Sequence, residues 1–177
     1  MQGFERVLVP VDFSEATDEL IDAGRTTEIA EGVHVDLAAA SVKSLEMAKT
    51  VLADGGELRL IHATPPLNHA PIYSGPAAMG GLTSALEEIH RAAKQASIAA
   101  LEAIAQKHCP GVKVSFAAQP SVPLDFVLAQ AESFEAQLIV IAASGRSGVA
   151  RFFLGSTADR VIRLATAPVL VVPTGAA

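Results

Sequence analysis

The chain has 177 residues, 50% of them hydrophobic and 18% charged, with a single cysteine and a formal net charge of −6. There is enough apolar material for one α/β domain with a real core, and too little charge for a chain that stays disordered. The acidic balance argues against nucleic-acid or anionic-membrane binding, the lone Cys109 excludes an intrachain disulfide, and no apolar run approaches the ~20 residues of a membrane span.

The stretch from Met1 to Val11 holds one short apolar run and no signal-peptide layout, so a cytoplasmic location is expected. Arg6 to Asp12 reads as a first strand, apolar from Val7 to Val11, with Pro10 near its end where a missing N–H does least harm. Residues 14–36 are irregular and acid-rich; Glu15 to Ile21 suits one or two helical turns. Val33-His-Val-Asp36 then echoes Val9-Pro-Val-Asp12, so either aspartate can lead into the first long helix. That helix spans Ser41 to Ala53, with Val42, Leu45, Ala48 and Leu52 at helical spacing, and Asp54-Gly55-Gly56 ends it. Glu57 to Ala63 is a second strand, followed by a long loop over 64–81 that is rich in proline and glycine.

Leu82, Leu86, Ile89, Ala93, Ala96, Ala100 and Ile104 mark a long amphipathic helix, broken at Pro110-Gly111. A third strand (Val112 to Ala118), a third long helix (Val122 to Phe134), a fourth strand (Leu138 to Ala142), a fourth long helix (Ser156 to Ala165) and a fifth strand (Ala167 to Val172) complete the series. Strands that are apolar runs, alternating with helices, predict a doubly wound α/β domain whose parallel sheet is covered on both faces.

Ligands on such sheets sit at the carboxyl ends of the strands, where the strand order reverses. Pro10 to Ser14, His62 to Thr64 and Ala142 to Gly148 would meet there, joined by the helix start at Ser156. Small residues follow the fourth strand, and Gly145 is followed nine residues later by Gly155-Ser156-Thr157. Bare backbone N–H groups at a strand end and a helix N-terminus suit an anion such as a phosphate. The plainer reading makes Gly145 and Gly155 ordinary turn residues and Ser156 and Thr157 helix caps. Asp12 serves equally as a ligand or as a cap.

Arg146 is the only basic residue inside the loop, with Arg151 just beyond it. A packed, hydrogen-bonded role suits His62 better than a base. The remaining histidines show no metal-ligand spacing, and Cys109 is expected to be unreactive. No nucleophile elbow, Walker loop or dinucleotide fingerprint is present in the sequence, so no catalytic residue is assigned.

Val7-Leu-Val-Pro-Val-Asp-Phe-Ser14, Leu60-Ile-His-Ala63, Leu138-Ile-Val-Ile with Ala142-x2-Gly145-x9-Gly155-Ser156, and Ala167-Pro-Val-Leu-Val-Val172 together resemble the universal stress protein family. The resemblance covers Phe4 to Ser14 and then roughly Ala40 to Pro173. It implies a Rossmann-like adenine-nucleotide-binding topology: a five-stranded parallel sheet in the order 3-2-1-4-5. ATP or AMP would be bound, with a divalent ion such as Mg or Mn.

By the same resemblance Pro10 and Val11 flank the base or ribose, and Asp12 faces the ribose or the metal side. The backbone of Ala63 pairs with the adenine edge. Ala142, Ala143, Ser144, Gly145, Arg146, Ser147 and Gly148 wrap the phosphates, with Gly155, Ser156 and Thr157 contacting them. The sequence departs from the family at Ala142, where glycine is usual, and in the insertion at about 14–36, placed to act as a lid or to fill the site. A homodimer through the last strand (168–172) is expected, since Val169 to Val172 reads as an apolar edge strand and many members dimerise there. The leading reading is a nucleotide-binding, stress-response module that acts through a protein partner without rapid turnover. A slow ATPase or an autophosphorylating protein is the second, and a dimeric scaffold without nucleotide the third.

Overall fold

The computed structural model describes residues 3–24, 26–64, 76–143 and 154–173. Its central sheet comprises β1 (Phe4–Pro10), β5 (Leu52–Thr64), β6 (Lys113–Pro120), β7 (Leu138–Ala142) and β8 (Val169–Val172). All pairings are parallel and the order is β6-β5-β1-β7-β8. Counted along the parallel strands alone, this is the expected order 3-2-1-4-5.

Side chains of successive strand residues point to opposite faces, and each face has its own core. Val7, Val9, Leu58, Leu60, Leu138 and Val140 pack on one side with Leu45 and Ala48 of α2 (Ala39–Val51) and Leu101 and Ile104 of α3 (Pro76–His108). Leu8, Ile61, Ile139 and Ile141 pack on the other with Leu124, Phe126 and Val127 of α4 (Pro123–Ser133) and Val161 of α5 (Ser156–Leu164). Burial on both faces explains why the strands read as apolar runs. Among the described residues no helix is long and apolar enough to cross a membrane.

The irregular stretch after Asp12 folds as a second, antiparallel sheet of β2 (Phe13–Glu15), β3 (Thr27–Ala30) and β4 (Val33–Leu37), in the order β2-β4-β3. The short helix α1 (Asp18–Asp22) lies between β2 and β3, where one or two turns are expected. Phe13, Ile29, Val35 and Leu37 pack onto the α2/α3 core, which anchors this small sheet. The chain then returns to where it left: Ala38 N–H donates to Asp12 O at 3.1 Å. Asp36 therefore precedes α2 along the chain, while Asp12 meets the same helix end in space.

Two element boundaries differ from the sequence reading by more than two residues, the starts of β5 and of α3. The helix α2 ends at Val51, and Asp54-Gly55-Gly56 lies inside β5 as an irregularity, the register passing from Phe4↔Leu52 to Arg6↔Glu57. Gly55, at φ +76°, supplies the left-handed residue that this bulge needs. The long helix begins at Pro76 rather than Leu82. Proline suits a first helical position, and the ~1 kcal/mol cost of each of Gly80 and Gly81 does not break a helix of 33 residues. The rest of the expected loop, 65–75, lies outside the described residues.

Candidate functional site

A proline opens the site. Val11 N–H donates to Ile61 O at 2.8 Å, so the main-chain groups of Val11 face β5. By alternation those of Pro10 face β7, and there Pro10 has no N–H to give. The β1–β7 pairs are Val7↔Leu138 and Leu8↔Ile139, whereas β1–β5 pairing runs on to Pro10↔Ile61. The two strands thus part at their carboxyl ends, at the point where the strand order reverses.

A cavity of about 360 Å³ lies there. Pro10, Val11, Asp12, Ala63, Ala142, Ala143, Gly155, Ser156 and Thr157 all line it. The other expected site residues, Ser144, Gly145, Arg146, Ser147 and Gly148, lie outside the described residues, as does Arg151. Phe13, Ser14 and Thr64, expected at the same crevice, are not among its lining. Nor does any described residue of the small sheet line it, so that sheet does not fill the cavity.

The backbone of Ala63 is turned toward this space. Ile61 O accepts from Val11 on the β1 side, and Thr64 O accepts from Ser121 on the β6 side. Alternation then puts the N–H and C=O of Ala63 on the β1 side, beyond the end of β1. No backbone partner reaches them there among the described residues. The ladder ends instead at His62, whose Nδ1 lies 2.9 Å from Val11 O. A carbonyl only accepts, so Nδ1 carries the proton. The His62 ring also stacks on Phe13, with centroids 3.9 Å apart. Packing and hydrogen bonding thus explain this histidine, as the sequence suggests, although it also lines the cavity.

Opposite stands the start of α5. Two of the small-residue amides are spent internally: Ala143 N–H donates to Val172 O at 2.8 Å and Gly155 N–H to Ala143 O at 2.6 Å. These bonds tie α5 to the ends of β7 and β8. The next three amides, of Ser156, Thr157 and Ala158, precede the first intrahelical donor, since Asp159 N–H is the one that reaches Gly155 O. Among the described residues no side chain caps them. All three residues line the cavity, so the positive end of α5 opens on it. Gly155, at φ −61° and ψ 149°, is an extended N-cap and needs no left-handed freedom. Ala142 is the last residue of β7, paired with Val172. Glu135 is the only non-glycine residue at positive φ among those described. Alanine in place of glycine therefore costs Ala142 no backbone strain.

The sequence reading missed part of the lining: Ser41 of α2, on one face of the sheet, and Pro123, Phe126 and Val127 of α4, on the other. In a doubly wound sheet every helix that follows a strand starts at this edge, and Pro123 at the start of α4 marked one such entry. The cavity is apolar along α4 and polar along α5. Asp12 is its only carboxylate among the described residues, and these include no Lys or Arg in its lining. No group of three or more metal-ligating side chains exists among the described residues. Cys109 lies elsewhere, 3% exposed, and burial pushes its thiol pKa up.

A profile described as the universal stress protein family matches residues 31–173. Universal stress protein MJ0531 of Methanocaldococcus jannaschii is 32% identical over 130 residues, 73% of this chain and 74% of that protein. The chain belongs to the universal stress protein family. The match to the universal stress protein profile starts inside the small sheet and omits Phe4 to Ser14; the parallel sheet itself assigns Phe4–Pro10 as its central strand. Solved structures share the fold. Hypothetical protein MJ0577 superposes with a TM-score of 0.66 at 18% identity, covering 95% of this chain and 94% of that one. A universal stress protein family protein from Arabidopsis thaliana, with AMP bound, gives 0.52 at 14% identity, covering 94% and 89%.

Proposed function

We propose that this chain is an adenine-nucleotide-binding module of the universal stress type, holding ATP or AMP without rapid turnover and serving a stress-response or regulatory role through a protein partner. The observation that carries the reading is the set of three uncapped amides at Ser156, Thr157 and Ala158, which open on a cavity at the switch point of the sheet. A helix N-terminus of this kind favours a phosphate. Across the cavity the N–H and C=O of Ala63 would read an adenine edge, against the apolar wall of Pro123, Phe126 and Val127. A family member with this fold carries AMP, which supports the same ligand class.

In this reading Pro10 and Val11 flank the base or ribose, and the backbone from Ala142 to Gly148 encloses the phosphates. A divalent ion such as Mg or Mn would take its ligands mainly from phosphate oxygens, with Asp12 the one carboxylate lining the cavity among the described residues. A homodimer through 168–172 belongs to the reading, because β8 is a sheet edge whose outer side has no strand partner among the described residues. A cytoplasmic location belongs to it as well.

Isothermal titration of the full chain with ATP and AMP, followed by a turnover assay, tests it. Saturable binding with negligible product supports the module. Binding with steady product release replaces it with the enzymatic reading. Flat titrations with an intact dimer in sedimentation leave the scaffold.

A further inference from the structure

Between Asp12 and Ala38 the chain leaves the cavity wall, builds the small sheet and comes back. The strand that ends at the cavity and the helix that closes over it are therefore not continuous, and the wall must be held by non-covalent contacts. Val11 is fixed on the sheet side by Ile61 O and His62 Nδ1. Asp12 has no such neighbour in β5; its main chain is held from α2. Ala38 N–H donates to Asp12 O at 3.1 Å. The Ser41 hydroxyl accepts from Asp12 N–H at 3.0 Å and lies 3.3 Å from Asp12 O, to which it can donate. One hydroxyl serves both, having one donor and two acceptor sites. Ser41 is 2% exposed and lines the cavity beside Asp12.

We propose that Ser41 is a positioning residue of the nucleotide cavity: its hydroxyl fixes the main chain of Asp12 and so restores, across the insertion, the geometry that an uninterrupted chain would supply. The proposal rests on the nucleotide-binding reading. It assigns Ser41 no contact with the ligand. Without the hydroxyl, Asp12 N–H loses its acceptor and its main chain is held from α2 only through Ala38 N–H.

Ser44 supplies the control. It is fully buried on the same helix, its hydroxyl bonds Ala40 O at 3.0 Å, and it is not among the cavity lining. Ser41→Ala and Ser44→Ala should lose comparable thermal stability. Only Ser41→Ala should weaken ATP and AMP binding, by roughly fivefold to thirtyfold. In the ligand-free protein, hydrogen exchange of the Asp12 amide should accelerate at least about tenfold in Ser41→Ala, while the Val11 amide keeps its rate. Ser41→Cys, similar in volume and a poor hydrogen-bond partner, repeats the test if the alanine variant does not fold. Equal affinities in the Ser41 and Ser44 variants overturn the proposal while leaving the nucleotide reading in place. Weakened binding with unchanged Asp12 exchange also overturns it, since Ser41 would then act on the ligand directly. Wild-type protein that binds neither nucleotide removes both.

Discussion

Gly155→Asp separates folding from binding at the start of α5. Gly155 is the N-cap, its extended backbone at φ −61° and ψ 149° is open to any residue, and its own N–H is already bonded to Ala143 O. An aspartate there would accept from the amide of Thr157 or Ala158, the second and third residues of the helix. Over glycine this cap contributes a few tenths of a kcal/mol, and its charge at the helix N-terminus adds about 0.3–1 kcal/mol. The ligand-free protein should therefore melt about 1–6 °C higher. The same carboxylate takes away a donor worth ~1.5–3 kcal/mol to a phosphate. It also sets a like charge ~4 Å from it, which costs up to ~4 kcal/mol at an effective dielectric of about 20. Calorimetric titration with ATP should show an affinity at least ~100-fold weaker. Gly155→Asn, a cap without charge, should lose only about tenfold. Wild-type affinity in Gly155→Asp would mean that the anion does not sit at α5. A lower melting temperature would mean that the three amides were not waiting for a partner.

Three further outcomes follow from single residues. Gly55→Ala should lower the melting temperature by about 2–8 °C, because a side chain in the left-handed region costs ~1–2 kcal/mol and Gly55 sits at φ +76°. Glu57 accepts from Lys113 Nζ and from Ser115 Oγ, both at 2.7 Å, and these bonds, Lys113 first, hold its carboxyl below the ordinary 4.5. A lowered carboxyl stabilises the fold above its unfolded pKa and stops doing so as pH falls through its folded one. In denaturant titrations, wild type should therefore exceed Glu57→Gln by a constant margin from neutral pH to about 4.5, and the margin should shrink below that. Cys109, buried and with its thiol pKa raised, should react with a maleimide at neutral pH far more slowly in the native protein than after unfolding.

The parallel strands were legible because burial on both faces leaves a plain mark, a run such as Leu138 to Ile141. The α5 side of the cavity was legible for a related reason, since Ala142, Ala143, Gly155, Ser156 and Thr157 are small enough to leave main chain exposed in its lining. The α4 side was hidden. Val127 occupies the same helical stripe as Leu124 and Ala131, Phe126 packs in the same core, and no periodicity separates a residue that lines a cavity from one that fills a core.

The small sheet was hidden for the opposite reason. Its strands are three to five residues long, Val33 is 48% exposed and, in β4, only Val35 is buried, so neither an alternation nor an apolar run stands out. Asp54-Gly55-Gly56 misled because the same residues end helices and make bulges; the close β1–β5 pairing decided for the bulge. The resemblance named the family, and the proline at position 10 supplied the physical reason for the cleft: its missing N–H falls on the side of the sheet where β7 draws away.

The most direct measurement is the response of individual backbone amides to AMP and ATP, followed by ¹⁵N–¹H NMR on the whole chain. Saturable shifts concentrated at Ser156, Thr157, Ala158 and Ala63, larger for the helix amides with ATP than with AMP, are the predicted result. Saturable binding that leaves those four amides unmoved, or no binding at all, would contradict it.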